Sequence, residues 1–181
     1  MVDEIKSNID RSKEFLKNKD FNSAELILLK NLELSNESFE TFFLLGTIAG
    51  IKMNLDQAEI YLKKAKDLNS NNKNLFLNLA IIQKKMNKKD ESIYNFKKVI
   101  ELEKDNLEGL CGLAQIFEEE GNFKMAEAFF KKVLEIDSNH HIANHSYGKL
   151  LLKLNQHIKG LKLIEKVSGI IRFNKDTLKI I

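Results

Sequence analysis

Three of the four histidines and the single cysteine are the residues in this sequence whose types and spacing could support metal binding or covalent chemistry. His141 and His145 are four residues apart, so a helix would place them on one face, with His140 beside them. A metal site needs further ligands, and no carboxylate or thiol follows at a supporting position. Cys111 has no base at a catalytic spacing and is interpreted as a small packing residue. We therefore predict no metal, no cofactor and no catalytic residue.

Motifs typical of other chemistries are absent from the sequence. It contains no glycine-rich phosphate loop, no paired-carboxylate signature and no nucleophile elbow. The lysine-rich run at residues 84–89 has no interleaved aromatic residues, and the net charge is only +3. These features predict a protein that is not an enzyme and has no nucleic-acid partner.

Length and composition narrow the class of protein. A chain of 181 residues can form one sizeable core or one repeat array. No run approaches the roughly 18 consecutive apolar residues of a membrane span, and the polar N-terminus lacks the apolar stretch of a signal peptide. One cysteine excludes an internal disulfide and is consistent with a reducing compartment. We expect a cytoplasmic protein with no membrane partner.

Residues 107–140 contain two helical patterns that meet at the turn Glu120-Gly121-Asn122. In each pattern apolar residues recur at the spacing of one helix face. The first pattern comprises Leu110, Leu113, Ala114 and Phe117, and the second comprises Phe123, Ala126, Phe130, Val133 and Leu134. The small residues Ala114 and Ala126 lie on the facing sides, where they would allow two antiparallel helices to pack closely.

The same unit recurs along the chain with a period of 34 residues and no insertion or deletion. Two positions in every unit hold only glycine, alanine or serine. The first of these positions is Ser12, Gly46, Ala80, Ala114 and Gly148, and the second is Ala24, Ala58, Ser92, Ala126 and Gly160. Such a strict register indicates tandem structural repeats.

This pattern resembles the tetratricopeptide repeat (TPR), which has large and small residues at the spacing found here and a proline near its end. The chain departs from the family at every proline position, which holds Asn36, Ser70, Lys104, Ser138 or Arg172. The resemblance implies an all-α fold, a right-handed superhelical solenoid of helix-turn-helix repeats. Residues 1–181 would form a single solenoid with repeats at 5–38, 39–72, 73–106, 107–140 and 141–174.

The two ends of the array differ from its middle. Asn8 and Arg11 replace large apolar residues in the first repeat, which predicts an end unit whose outer face meets water. Asn22 or Ser23 is expected to cap the second helix. We interpret residues 175–181 as the start of a capping helix, with Asp176 as its cap and Leu178 and Ile181 on its inner face, or as a truncation point. The short tail favours a fragment of a larger protein, and the alternative is a homodimer formed through the C-terminal repeat.

The family resemblance also implies a peptide-binding groove lined by the first helix of each repeat. In repeats two and three this groove would be unusually apolar, and Asn78 could hydrogen-bond a peptide backbone. The predicted groove residues are Phe43, Leu44, Thr47, Ile51, Leu77, Asn78 and Ile81, followed by Cys111, Gln115, His145 and Lys149. We expect this surface to receive an apolar peptide; the alternative is that neighbouring helices or the chain termini cover it.

The sequence favours a protein–protein interaction scaffold over two other functions. One alternative is a non-catalytic module of a larger modifying enzyme, of the glycosyl-transferring or hydroxylating kind, and the other is a homodimerisation module. The carboxylate clamp by which some TPR proteins hold a chaperone tail is absent, because only Asn78 matches it and no cations surround that residue. A repeat fold by itself does not identify the partner.

Overall fold

The computed structural model describes residues 2–35, 37–168, 171–174 and 177–180, with side chains up to residue 168. These residues form ten α-helices and two short strands. The helices are α1 Val2–Lys17, α2 Phe21–Leu34, α3 Phe39–Ile51, α4 Leu55–Leu68, α5 Lys73–Lys85, α6 Lys89–Leu102, α7 Leu107–Glu119, α8 Phe123–Ile136, α9 His141–Lys153 and α10 His157–Ser168. The chain divides into two compact units, residues 1–95 and 96–181, with the boundary inside α6.

The turn inside each helix pair repeats with the period seen in the sequence. One residue per turn has a positive φ between 58° and 75°, and these residues are Lys19, Met53, Asn87, Gly121 and Asn155. The residue after each of them donates its backbone N–H to the carbonyl of the residue five positions earlier in the chain. Asn54, for example, donates to Ala49 (2.9 Å). Glycine adopts this left-handed conformation without strain and asparagine tolerates it, so Gly121 and the two asparagines suit the turn. The same turn therefore ends the first helix of all five pairs.

The small residues of each repeat lie where the paired helices meet, as predicted. Ser92 Oγ donates a hydrogen bond to the carbonyl of Ala80 (2.7 Å), which joins the two small positions of the third repeat. In the fifth repeat a Cβ added to Gly148 would lie 2.8 Å from the carbonyl oxygen of Gly160. Ala114 and Ala126 in the fourth repeat are fully buried. Larger side chains at these positions would force the helices apart.

The core of the first unit consists of two clusters that cover α3 on both sides. Leu44, Leu45 and Ile48 pack with residues of α1 and α2, whereas Phe42 and Ala49 pack with α4 and α5. This arrangement explains why α3 is apolar almost all round: seven of its thirteen residues are buried.

The core of the second unit is centred on Phe130, which is fully buried between α7, α8 and α9. Its ring stacks on Tyr147 of α9, with centroids 5.9 Å apart and planes 20° apart. The Tyr147 hydroxyl donates to Glu127 Oε1 (2.9 Å). Burial is the main cause that raises the pKa of Tyr147, and the hydrogen bond to the Glu127 carboxylate adds to it. Hydrogen bonds from Lys131 and, to a smaller extent, from Tyr147 lower the pKa of Glu127.

One prediction about the first repeat is wrong and another holds in part. Asp20, rather than Asn22 or Ser23, caps α2: its Oδ1 accepts from the Ser23 N–H (3.1 Å), and this hydrogen bonding lowers the pKa of Asp20. Arg11 is exposed as expected, but Asn8 is half-buried, because its amide donates to Oδ1 of the fully buried Asn31 (2.8 Å). The buried partner on α2 accounts for a polar residue at an apolar position.

The predicted capping helix is not formed by residues 177–180. Strand β1, Ile171–Asn174, pairs with strand β2, Thr177–Ile180, in an antiparallel hairpin with Ile171 opposite Ile180. A helix of so few residues is marginal, and β-branched Ile171, Thr177 and Ile180 favour extended backbone. Asn36, Asp176 and Ile181 lie outside the described residues.

A buried polar network that the sequence pattern does not reveal joins α4, α5 and α6 in the first unit. Glu59 is 6% exposed, and its carboxylate accepts from Gln83 Nε2 (3.1 Å) and from Lys88 Nζ (2.5 Å). Gln83 Oε1 in turn accepts from Asn95 Nδ2 (2.6 Å). Burial disfavours the Glu59 carboxylate, but hydrogen bonds from Lys88, Gln83 and Lys63 outweigh burial and lower the pKa of Glu59 to about 2.

The lowered pKa of Glu59 predicts a loss of stability in acid. A carboxylate whose pKa falls from 4.5 to about 2 on folding stabilises the native state above pH 4.5, and this contribution disappears as the pH falls towards 2. Because Lys88 and Lys63 are partly exposed, we expect a contribution of about 1–2 kcal/mol. In urea denaturation at pH 6, the free energy of unfolding of the wild type should exceed that of Glu59→Gln. This difference should shrink by this amount at pH 2.5. The control variant Glu91→Gln, at an exposed position, should have the same free energy of unfolding as the wild type at both pH values. If the difference between the wild type and Glu59→Gln is the same at pH 6 and pH 2.5, Glu59 does not have this role.

Candidate functional site

A cavity of about 210 Å³ opens in the first unit between α3 and α5. It contains four of the predicted groove residues, Thr47, Ile51, Asn78 and Ile81. Gly50 and Lys85, which also line it, stand at groove positions of the family, whereas the sequence pattern did not indicate Gly46, Leu62 and Ile82. An apolar cavity of about 150 Å³ is enough to hold a benzene ring, so this one can accept a large apolar side chain.

Two glycines on one face of α3 let the floor of this cavity pack against the helix backbone. A Cβ added to Gly46 would lie 2.6 Å from Leu62 Cγ, and one added to Gly50 would lie 2.8 Å from Ile82 Cδ1. Leu62 and Ile82 therefore reach the bare backbone of α3 and form the floor. The spacing of the two glycines, one helical turn apart, is the sequence signal that could have indicated the cavity.

Polar groups of the cavity form a short hydrogen-bonded chain. Asn78 Nδ2 donates to Thr47 Oγ1 (3.0 Å), and the Thr47 hydroxyl donates to the carbonyl of Phe43 (2.8 Å). The Asn78 side chain is half-buried and uses one of its two N–H groups in this chain. Its other N–H and its Oδ1 have no partner in the described part of the protein, so both can bond a peptide backbone.

The rim of the cavity is apolar and carries one cation. Ile51 is 50% exposed and Ile81 is 38% exposed. Lys85 Nζ lies 3.4 Å from Met53 Sδ, and no ion pair among the described residues includes Lys85. A ligand would therefore meet two exposed isoleucines and an ammonium group that is not neutralised.

Three predicted groove residues of the first unit do not line this cavity. Leu44 is only 9% exposed, because α2 packs on the side of α3 that carries it. Phe43 is half-buried and its ring stacks on Phe39, with centroids 5.7 Å apart and planes 9° apart. Leu77 is also half-buried. Leu44 and Phe43 therefore hold α3 in place instead of offering a surface to a ligand.

The predicted groove residues of the second unit differ in their accessibility. Cys111 is 4% exposed and belongs to the core cluster around Phe130, so it has neither the exposure of a reactive thiol nor that of a groove residue. Gln115 and His145 are half-buried, and Lys149 is exposed.

One of the candidate histidines has a structural position at the start of α9. His140 is the N-cap of that helix, and its Nδ1 accepts the N–H of Ala143 (3.2 Å), so this nitrogen is occupied. Within the described residues, no three or more His, Cys, Asp or Glu side chains are grouped so that they could hold a metal ion. Nor does any described helix combine the length and apolar character needed to span a membrane.

Comparisons with solved structures show the same fold in other proteins. A crystal structure of MamA superposes with a TM-score of 0.77 at 18% identity, covering 86% of this chain and 91% of that one. MamA from Desulfovibrio magneticus RS-1 superposes with a TM-score of 0.82 at 13% identity, covering 91% and 93%. YrrB, described as a TPR protein with an unusual peptide-binding site, gives a TM-score of 0.74 at 20% identity, covering 88% and 82%.

The sequence comparison identifies the family directly. The sequence profile of the tetratricopeptide repeat matches residues 39–72, 74–106 and 107–140, more than half of the chain. A comparison with curated proteins gave no significant match. The ten helices form five helix pairs, in agreement with the predicted number of repeats and with the predicted all-α repeat solenoid. This chain belongs to the tetratricopeptide repeat family.

Proposed function

We propose that this protein is a non-enzymatic interaction scaffold that binds a peptide segment of a partner protein through the cavity between α3 and α5. The observation that carries this proposal is the cavity itself, about 210 Å³ in volume, floored by Leu62 and Ile82 and open to solvent between Ile51 and Ile81. Concave apolar sites with few polar groups are the usual form of a binding site. The described peptide-binding site of YrrB supports the same class of function.

The lining residues define the chemistry of the peptide. One large apolar side chain would enter the cavity, and the free N–H and Oδ1 of Asn78 would bond the backbone on either side of that residue. The ammonium of Lys85 at the rim favours an acidic residue next to the apolar one. Leu77 stands where a carboxylate clamp would need a lysine, and Ile81 stands where it would need an asparagine. The peptide is therefore an internal segment and not an acidic C-terminal tail.

A displayed library of random peptides provides a direct test. Peptides selected on the full chain should share one large apolar residue with an acidic neighbour, and calorimetry should then measure their affinities. The double variant Ile51→Asp, Ile81→Asp should bind them about tenfold to a hundredfold more weakly. The reason is that burying one large aliphatic side chain contributes about 1.5–3 kcal/mol.

Exposed isoleucine and leucine residues on the second helices provide the matched control. Leu26 and Ile60 are 63% and 49% exposed and do not line the cavity, so Leu26→Asp, Ile60→Asp should leave the affinity unchanged. Circular dichroism should confirm that both double variants keep their helical content. Equal affinity of the wild type and the cavity variant for the selected peptides would show that the cavity is not the binding site.

A further inference from the structure

A second groove, in the second unit, lies between α6 and α8 and has a volume of about 540 Å³. Its floor consists of Ile100, Leu110 and Phe129, and its walls carry three lysines and one glutamate: Lys97, Lys104, Lys132 and Glu101. None of these residues belongs to the predicted peptide-binding groove, since all but Leu110 lie on the second helices of their repeats or just after them.

The apolar floor of this groove is held in place by the core. Leu110 is 1% exposed and belongs to the cluster around Phe130, against which Ile100 and Phe129 also pack. The Phe129 ring stacks on Phe117, with centroids 5.7 Å apart and planes 7° apart. A ligand would therefore meet a preformed surface, and ordering that surface would cost little on binding.

The charge of the groove is strongly unbalanced. Its only carboxylate, Glu101, accepts from Lys98 Nζ (2.5 Å), outside the groove. Lys132 Nζ donates to the backbone carbonyl of Lys104 (3.4 Å), a contact that does not neutralise its charge. No ion pair among the described residues includes Lys97, Lys104 or Lys132. The walls thus present three uncompensated ammonium groups around an apolar floor.

The corresponding place in the second repeat also has a groove, of about 290 Å³, lined by Phe42, Lys64, Asp67 and Leu68, but there a lysine lies over the aromatic floor. Phe42 and Lys64 occupy the positions that Leu110 and Lys132 occupy two repeats later. There Lys64 Nζ lies over the Phe42 ring, 5.3 Å from its centroid, so that the lysine covers the aromatic face. Lys132 instead turns to the end of α6, and the floor stays open.

We propose that this groove is a second binding site, for an acidic amphipathic segment of a partner protein. Apolar side chains of the segment would pack on Ile100 and Phe129, and its carboxylates would pair with Lys97, Lys104 and Lys132. Complementary charge selects acidic over basic ligands and favours rapid association. The apolar floor selects a segment with aromatic or aliphatic residues over a purely charged chain. This site does not depend on the cavity between α3 and α5.

The test uses a blocked peptide of about ten residues in which two phenylalanines are each flanked by glutamates. Nuclear magnetic resonance on the full chain should show saturable shifts of the Ile100, Leu110 and Phe129 side chains. Lys97→Glu, Lys104→Glu, Lys132→Glu should weaken binding at least tenfold, because three attractive contacts become repulsive. The cavity variant Ile51→Asp, Ile81→Asp should bind this peptide as tightly as the wild type does, which separates the two proposals.

Matched controls define the outcomes that would overturn the proposal. Lys30, Lys124 and Lys162 are exposed lysines outside the groove, so their replacement by glutamate makes the same charge change and should leave binding unchanged at moderate salt. Equal binding of a peptide with lysine in place of glutamate would overturn charge selection. Binding to phosphatidylserine-containing vesicles through the three groove lysines, without binding of the acidic peptide, would identify a membrane surface and overturn the proposed partner.

Discussion

Replacement of Phe130 with alanine is expected to lower the free energy of unfolding by about 3–5 kcal/mol, the usual cost of removing a fully buried phenylalanine. The ring has no solvent-exposed surface, and it connects α8 to α9 through its stacking on Tyr147. Its removal leaves a cavity in the core cluster that also contains Leu110, Val133 and Leu150. The transfer and cavity terms therefore both oppose folding, and the aromatic contact is lost in addition.

Urea denaturation followed by circular dichroism measures this effect. Ile158 on α10 provides the control, because it is 75% exposed and its truncation to alanine should change the free energy of unfolding by less than about 0.5 kcal/mol. A loss below about 1 kcal/mol for Phe130→Ala would show that the second unit is not organised around this ring.

The helix pairs could be predicted from sequence because their determinants are local. The period of 34 residues, the small residues at two positions and the glycine turn at Gly121 act within one repeat. The boundaries of α7 and α8 follow directly from the pattern of residues 107–140. For the same reason the terminal hairpin was missed: β1 and β2 have no counterpart in the repeat pattern, and the preceding repeats favour the prediction of another helix.

The candidate site was only partly predictable, because burial there depends on contacts between repeats. Thr47, Ile51, Asn78 and Ile81 line one cavity because their repeat positions, three and four residues apart, lie on one face of the first helix. The burial of Leu44 was not predicted, because position alone does not show that α2 covers that side of α3. The role of Gly46 and Gly50 depends on the length of Leu62 and Ile82 on other helices. The groove of the second unit was not predicted, because nearly all of its residues lie on or just after the second helices, whereas the predicted groove is lined by the first helix of each repeat.

Two alanines of α8 allow the small-residue positions to be tested within a single helix. Ala126 is fully buried in the core cluster of the second unit, at a position that holds only alanine, serine or glycine in all five repeats. Ala128 lies two residues further on and is exposed. Leucine and alanine have similar helix propensities. The effects of Ala→Leu on stability at the two sites should therefore differ mainly because the added carbons have different surroundings. At Ala126 they would be forced into a closely packed contact.

The most direct test of the fold is therefore the difference in unfolding free energy between Ala126→Leu and Ala128→Leu, measured in urea under identical conditions. Close packing of the paired helices at the small residues predicts a loss of about 3 kcal/mol for Ala126→Leu and a change within about 0.5 kcal/mol for Ala128→Leu. Equal stability of the two variants would mean that the helices are not held together at these positions.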